Sequence, residues 1–190
     1  YEILRCLVGS EMCIRDRVYA ALKAAIYNYR LSLASPEEPL ELTSNMLSPG
    51  FEDNSKGWVC NGFSPQSNDA FELKEGTYYC EIWSGWGNVA DGDIHQIVEL
   101  PNGNYQLTVL AQNIQESNKA IPQKGAYVYA NNARKELSLT GKYTLDFVVV
   151  DNQAKIGVNT IGCTGNKVSI DDFHICLLYT SPSPRDISGS

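Results

Sequence analysis

From residue 45 onward the chain consists of short runs in which apolar and polar residues alternate, a period that predicts β-strands. The alternation is cleanest over residues 105–112, and a turn-forming segment, residues 101–104, precedes that run. Residues 148–150 are apolar throughout, which predicts a central strand covered on both faces. Turns recur about every ten residues with no helical pattern between them, so we predict an antiparallel β-sandwich or barrel. The predicted strands are residues 77–83, 94–100, 105–112, 126–130, 135–139, 143–150, 154–159 and 167–175.

A single helical pattern precedes these strands, over residues 18–33. Its apolar residues recur three and four positions apart, and it contains neither glycine nor proline. Pro36 ends it and opens a short, stiff linker. We therefore interpret residues 18–42 as a helix and linker from an upstream element, and residues 43–175 as one binding domain.

The two ends of the chain carry peptides that are related at the level of DNA. One back-translation of Cys176–Asp186 has a reverse complement that encodes Leu7–Asp16 without a mismatch. That DNA resembles a transposase adapter used in library preparation. We therefore interpret residues 1–17 and 176–190 as translated adapter, leave them out of the fold prediction, and regard the interior as a metagenomic fragment of a longer protein.

Composition narrows the range of functions. The two ends contain equal numbers of basic and acidic residues, so the interior keeps the formal charge of −7, which argues against a nucleic-acid partner. No apolar run approaches the length of a membrane span. The interior cysteines are Cys60, Cys80 and Cys163, and their spacing does not fit a zinc site. A Cys60–Cys80 disulfide and three separate buried thiols both remain compatible with the sequence.

Several motifs in a fixed order carry a family resemblance. Residues 45–53, followed by Gly57 and Trp58, and residues 168–175 resemble the opening and closing strands of carbohydrate-binding modules of the galactose-binding-like jelly-roll superfamily. Residues 100–105 resemble a hairpin of related domains in secreted proteins of Bacteroidetes-type bacteria. The resemblance implies an all-β, antiparallel jelly-roll β-sandwich with one N-terminal helix. It also implies a secreted or cell-surface location.

The resemblance further implies a structural calcium ion between the first and last strands. Calcium takes six to eight oxygen ligands in proteins, and Glu52, Asp171 and Asp172 lie in the two matching segments. Strand alternation puts Asp171 and Asp172 on opposite faces unless a bulge intervenes, and the family pattern favours Asp171. The alternative is that these acids only occupy turn and edge positions.

A glycine-rich, polar loop after residue 83 has the composition of a sugar-binding surface. Sugar-binding modules stack aromatic rings on pyranose rings and hydrogen-bond the hydroxyls with amide and charged side chains. Trp86 is the first candidate platform in this loop and Trp83 the second, although Trp83 also fits a core position. Asn88 in the loop, and Gln112 and Asn113 past the expected end of a strand, are the polar candidates, with a solvated loop as the alternative for the last two.

Three functions are compatible with these observations. The first is a non-catalytic carbohydrate-binding module that holds a larger secreted or surface protein, with covalently attached domains, against a poly- or oligosaccharide. The second is a structural spacer or adhesive protein-binding sandwich. The third is a hydrolase, which the sequence disfavours because His95 and His174 lie in predicted strands away from any nucleophile motif.

Overall fold

The computed structural model describes residues 2–180, with side chains from Arg15 to Tyr179. Within these described residues a long helix is followed by eleven strands, with one short 3-10 helix, Thr43–Asn45, after the first strand. The bounds are α1 Glu2–Ser32, β1 Leu40–Glu41, β2 Val59–Asn61, β3 Ser64–Gln66, β4 Tyr79–Trp83, β5 Asp93–Glu99, β6 Gly103–Ile114, β7 Ala126–Ala130, β8 Ala133–Leu137, β9 Gly141–Val149, β10 Gln153–Asn159 and β11 Lys167–Thr180.

The strands form two antiparallel sheets that pack face to face. The first sheet has the order β3-β4-β11-β6-β9, and β1 pairs with the C-terminal half of β11. The second sheet has the order β2-β5-β10-β7-β8. This arrangement confirms the predicted jelly-roll β-sandwich with one N-terminal helix.

The core lies between the sheets and follows the alternation of the strands. In β6 the side chains of Tyr105, Leu107 and Val109 are buried, while the residues between them are partly exposed. Aromatic rings also join the segment before β2 to β11. The Trp58 ring centroid lies 5.0 Å from that of Phe173, so Trp58 is a core residue as predicted.

Several elements differ from the sequence prediction. β1, β2 and β3 were not predicted, and residues 45–53, which resemble an opening strand, lie at the end of the 3-10 helix and in turns and bends instead. β9 is the edge strand of the first sheet, and Val148 is exposed, so the prediction of a central strand there was wrong. An apolar run of this length does not distinguish a buried strand from an edge strand, because only the pairing partners decide. β3 contains Pro65 and was not predicted; as an edge strand of the first sheet it tolerates a proline.

The helix and the last strand extend beyond the predicted domain. α1 contacts the sandwich near its C-terminal end, where Leu31 is buried and Tyr27 packs against the core. At the other end of the chain, Leu177 pairs with Leu40 and Tyr105 and is fully buried. The adapter origin of residues 1–17 and 176–190 stays a prediction, which a read of the parent genomic locus would test. No helix in the described part of the chain is both long and apolar enough to cross a membrane.

Candidate ligand-binding groove

A polar groove of about 420 Å³ lies on the outer face of the first sheet. Its volume is within the range of small-ligand sites, roughly 300–1,000 Å³. It runs from the corner between β2 and β3, across β4, to the start of β11. Its lining residues are Gly62, Ser64, Gln66, Asn68, Glu81, Trp83 and Lys167.

Alternation in β4 divides its side chains between the core and this groove. Cys80 and Ile82 belong to the hydrophobic core, so Glu81 and Trp83 point to the opposite, outer face. The antiparallel register places Lys167 of β11 directly opposite Trp83. An aromatic ring and two oppositely charged side chains therefore share one patch of the sheet.

The charged side chains of the groove are almost fully buried. Those of Lys167 and Glu81 are each 8% exposed, and Lys167 Nζ lies 3.9 Å from Glu81 Oε2 and 2.5 Å from Glu116 Oε1. The Ser169 hydroxyl donates a hydrogen bond of 2.9 Å to Glu81 Oε2, and the Tyr79 hydroxyl lies 3.2 Å from the same atom. These contacts fix the carboxylate in one orientation before any ligand arrives.

Trp83 presents an aromatic face at the rim of the groove. The residue is 55% exposed, yet its indole Nε1 donates a 2.9 Å hydrogen bond to Glu116 Oε2. Hydrogen bonds from Lys167 and Trp83 hold the pKa of Glu116 below its ordinary value. A Cβ on Gly85 would lie 3.4 Å from the Trp83 ring, so the glycine lets the loop pass close to it. The ring is therefore exposed but held in place, and the alternative of a core position for Trp83 was wrong.

Gln112 and Asn113 were predicted to lie at the rim of the site, but the structure does not place them there. β6 continues to Ile114, so both residues sit inside the strand, and they are 2% and 0% exposed. Gln112 Nε2 donates to Ser169 Oγ at 2.8 Å, and Asn113 Nδ2 donates to the Leu137 carbonyl at 2.8 Å. Their role is to satisfy buried polar groups. Gln112 also supports the groove indirectly, through the Ser169 hydroxyl that bonds Glu81.

Trp86 and Asn88 occupy the loop after β4, outside the groove lining. Trp86 is 95% exposed, as an exposed platform requires, and its backbone is held by hydrogen bonds with the Ser84 side chain. Asn88 accepts a 3.3 Å hydrogen bond from Gln115 Nε2. The structure thus separates the sequence candidates into Trp83 in the groove and Trp86 with Asn88 in the adjacent loop.

Sequence reasoning missed most of the polar groups of the groove. Glu81 and Lys167 are far apart in sequence, and only the pairing of β4 with β11 brings them together. One signal was present, because Tyr79, Glu81 and Trp83 alternate with Cys80 and Ile82. That pattern indicated a strand with polar and aromatic side chains on one face and apolar side chains on the other.

Glu52 and Asp171 meet at one turn, as the calcium prediction requires. Glu52 Oε1 accepts hydrogen bonds from the backbone of Thr77 at 2.8 Å and Tyr78 at 2.9 Å. Asp171 is fully buried, and its Oδ2 accepts from the backbone of Glu75 at 2.8 Å. Both carboxylates accept hydrogen bonds from backbone N–H groups of the turn. Calcium takes carboxylate oxygens as ligands, so a calcium site at these residues stays a prediction.

Asp172 points away from this pair. A register shift between Asp171 and His174 marks a bulge in β11, and Asp172 has a φ of 50°. Its Oδ1 instead contacts His174 Nε2 at 2.9 Å. In the part of the chain with described side chains, no group of three or more His, Cys, Asp and Glu residues is arranged to hold a metal. Of the three predicted calcium ligands, Glu52 and Asp171 therefore lie at the same turn, and Asp172 does not.

A larger hollow, of about 780 Å³, lies at the turns after β7 and β9. Its charged side chains, such as Asp146 and Lys155, are exposed, and its single aromatic residue, Phe147, is buried in the core. It lacks the combination of a buried charge and an exposed ring. The groove at Trp83 is therefore the stronger candidate site.

No protein-family model matches the chain, and no curated protein matches it. Several solved structures share its fold. A carbohydrate-binding module, TmCBM61, solved with beta-1,4-galactotriose, is 18% identical, with a TM-score of 0.54 over 69% of this chain and 96% of that one. The CBM22-1 xylan-binding domain of Paenibacillus barcinonensis Xyn10C is 13% identical, with a TM-score of 0.51 over 71% and 95%. A cyclase from Fischerella sp. TAU is 12% identical, with a TM-score of 0.54 over 76% and 100%. At these identities the similarity shows the fold alone.

Proposed function

We propose that this domain is a non-catalytic carbohydrate-binding module that binds a glycan in the groove at Trp83. The observation that carries the proposal is a half-exposed indole ring held beside buried, oriented polar groups. The ring offers an apolar face to a pyranose, and Glu81, Gln66 and Asn68 offer acceptors and donors to its hydroxyls. The similarity of fold to two carbohydrate-binding modules supports this proposal.

Binding explains the groove better than catalysis does. A catalytic acid must release a proton to its substrate, whereas Glu81 faces the Lys167 ammonium and accepts a hydrogen bond from Ser169. These contacts engage the carboxylate as an acceptor, which is also the role that it would take towards sugar hydroxyls. We therefore propose that the domain adds affinity for glycan, as a secreted or surface module, to a protein whose chemistry lies in other domains.

A glycan array followed by titration calorimetry tests the proposal. We expect Trp83→Ala to weaken the best glycan at least about tenfold, equivalent to roughly 1.4 kcal/mol. Trp86→Ala is the matched control, because it removes the same ring from a more exposed position outside the groove. Loss of binding only in Trp86→Ala would move the site to the loop. Folded wild-type protein that binds no glycan would favour the structural or adhesive spacer.

A further inference from the structure

Cys60 and Cys80 face the same space at one open edge of the sandwich. Cys60 lies on β2, the edge strand of the second sheet, and pairs with Ile94, which is fully buried. Directly paired residues of antiparallel strands share a face, so Cys60 is on the core side of β2. Cys80 lies on β4 of the first sheet and pairs with the buried Ile170, which also places it on the core side.

The chain between these cysteines brings the two sheets together at this edge. Gly62 follows β2 and has a φ of +85°, and from there the chain crosses from the second sheet to β3 of the first. A Cβ on Gly62 would lie 2.8 Å from Ile82 Cδ1, two residues beyond Cys80. This corner of the chain therefore packs closely against the core face of β4. The Cys60 thiol is close enough to influence the pKa of Cys80.

The two thiols differ in access to solvent. Cys60 is exposed and Cys80 is fully buried, and among the described side chains neither is bonded to another cysteine. Exposure lets Cys60 meet a reagent in solution, while Cys80 can react only with a group already held at this edge.

We propose that Cys60 and Cys80 form a redox pair that closes to a disulfide between the two sheets. The oxidant is a small disulfide such as oxidised glutathione. The Cys60 thiolate attacks one of its sulfur atoms, forms a mixed disulfide and releases one glutathione thiol. Cys80 then loses its proton and attacks the Cys60 sulfur, releasing the second glutathione. In sum, two protein S–H bonds and the glutathione S–S bond break, while one protein S–S bond and two glutathione S–H bonds form. The two electrons and two protons leave with glutathione.

The order of these steps follows from burial. Desolvation raises the pKa of the Cys80 thiol, so its thiolate is scarce until the mixed disulfide lies beside it. Cys60 is the entry point because it is exposed. The closed loop would span residues 60–80, which include Ser64, Gln66 and Asn68 of the groove. Oxidation would thus fix one wall of the proposed glycan site, although the thiol chemistry does not depend on that function.

Incubation of the full chain in oxidised glutathione, followed by alkylation and peptide mass mapping, tests the proposal. We expect one crosslinked pair of peptides containing Cys60 and Cys80, and a melting temperature about 5–10 °C higher than that of the reduced protein, since a loop of roughly 20 residues is closed. The rise should be absent in Cys60→Ser and retained in Cys163→Ser, the matched control at a cysteine elsewhere in the fold.

Two results would overturn the proposal. The first is full alkylation of Cys60 after oxidation. The second is a stable glutathione adduct on Cys60 that Cys80 never displaces. Cys60→Ser changes an exposed residue on an edge strand, so the comparison holds even if Cys80→Ser does not fold.

Discussion

At the scale of single residues, the most informative feature is the ion pair of Lys167 and Glu81 beneath Trp83. Removing two charges from water costs several kcal/mol per ion, and a buried pair is often no more stable than apolar residues of the same volume. Tyr79 and Ser169 supply further polar contacts to the carboxylate. Such an arrangement is consistent with the binding role proposed for the groove.

The first prediction concerns this pair. Lys167→Met should lower the free energy of unfolding by about 3–5 kcal/mol, because it removes one partner of a buried ion pair and leaves Glu81 without this cation. Adding Glu81→Gln to the same chain should restore part of the loss. Urea unfolding monitored by tryptophan fluorescence measures both. Lys135→Met, at an exposed position on β8, is the control and should leave stability unchanged. If Lys167→Met and Lys135→Met were equally stable, the ion pair of Lys167 and Glu81 would not contribute to stability.

The second prediction uses the titration of Asp171. Burial raises the pKa of this carboxyl to about 7, the charges of Asp172 and Glu52 add to the rise, and backbone hydrogen bonds from Glu75 and Asp172 oppose it. The folded state therefore holds the proton more tightly than the unfolded state, whose pKa is near the ordinary value of 3.8. The protonated Asp171 carboxyl therefore contributes fully to stability below pH 3.8, and this contribution is lost as the pH rises towards 7.

In calcium-free buffer, wild-type stability should therefore fall between pH 4 and 7 by roughly 3 kcal/mol relative to Asp171→Asn, which cannot titrate. Urea unfolding of both proteins at several pH values gives the difference directly. Parallel curves for the two proteins would contradict the assignment.

At the scale of elements, local alternation in the sequence predicted where strands lie. Contacts that depend on which strands pair could not be predicted in this way. Strict alternation identified β6, because each of its faces has one environment for most of its length. The end of that strand was misplaced, since Gln112 and Asn113 are polar yet buried, and their partners come from other segments. The register that joins Glu81 to Lys167 likewise has no local signal. The aromatic candidates were found because an exposed tryptophan in a glycine-rich loop is unusual in itself.

The third prediction concerns β10, the central strand of the second sheet. Gly157 lies where an added Cβ would overlap the Ile94 carbonyl and sit 2.8 Å from both His95 Cβ and the Tyr129 hydroxyl. Gly157→Ala should therefore destabilise the domain by about 3 kcal/mol, because the Ile94 backbone cannot shift without a large energetic cost. Gly141→Ala in the edge strand β9 is the control, since its Cβ would meet only Tyr143, at 3.9 Å. Thermal melting compares the two, and equal melting temperatures would refute the argument.

At the scale of the whole molecule, two carboxylates join segments that are distant along the chain. Glu52 before β2 and Asp171 in β11 both accept hydrogen bonds from the turn of residues 75–78. Burial is the main cause of the raised pKa of Asp171, and the nearby charge of Glu52 adds to it. A cation at this point would offset these charges and tie the opening segment, the turn and the closing strand together.

We therefore predict that calcium stabilises the fold at pH 7.5, where Asp171 is largely ionised. Calcium at a hundredfold excess over its Kd should add about 2.7 kcal/mol, or roughly 5–10 °C in melting temperature, and a chelator should reverse the effect. Glu52→Gln and Asp171→Asn should each abolish the response. Asp53→Asn is the matched control, because Asp53 is the exposed neighbour of Glu52 and pairs only loosely with Lys56, at 3.7 Å. A melting temperature that responds neither to calcium nor to chelator would instead mean that backbone hydrogen bonds alone hold the two carboxylates, and that no metal joins the closing strand to the rest of the sandwich.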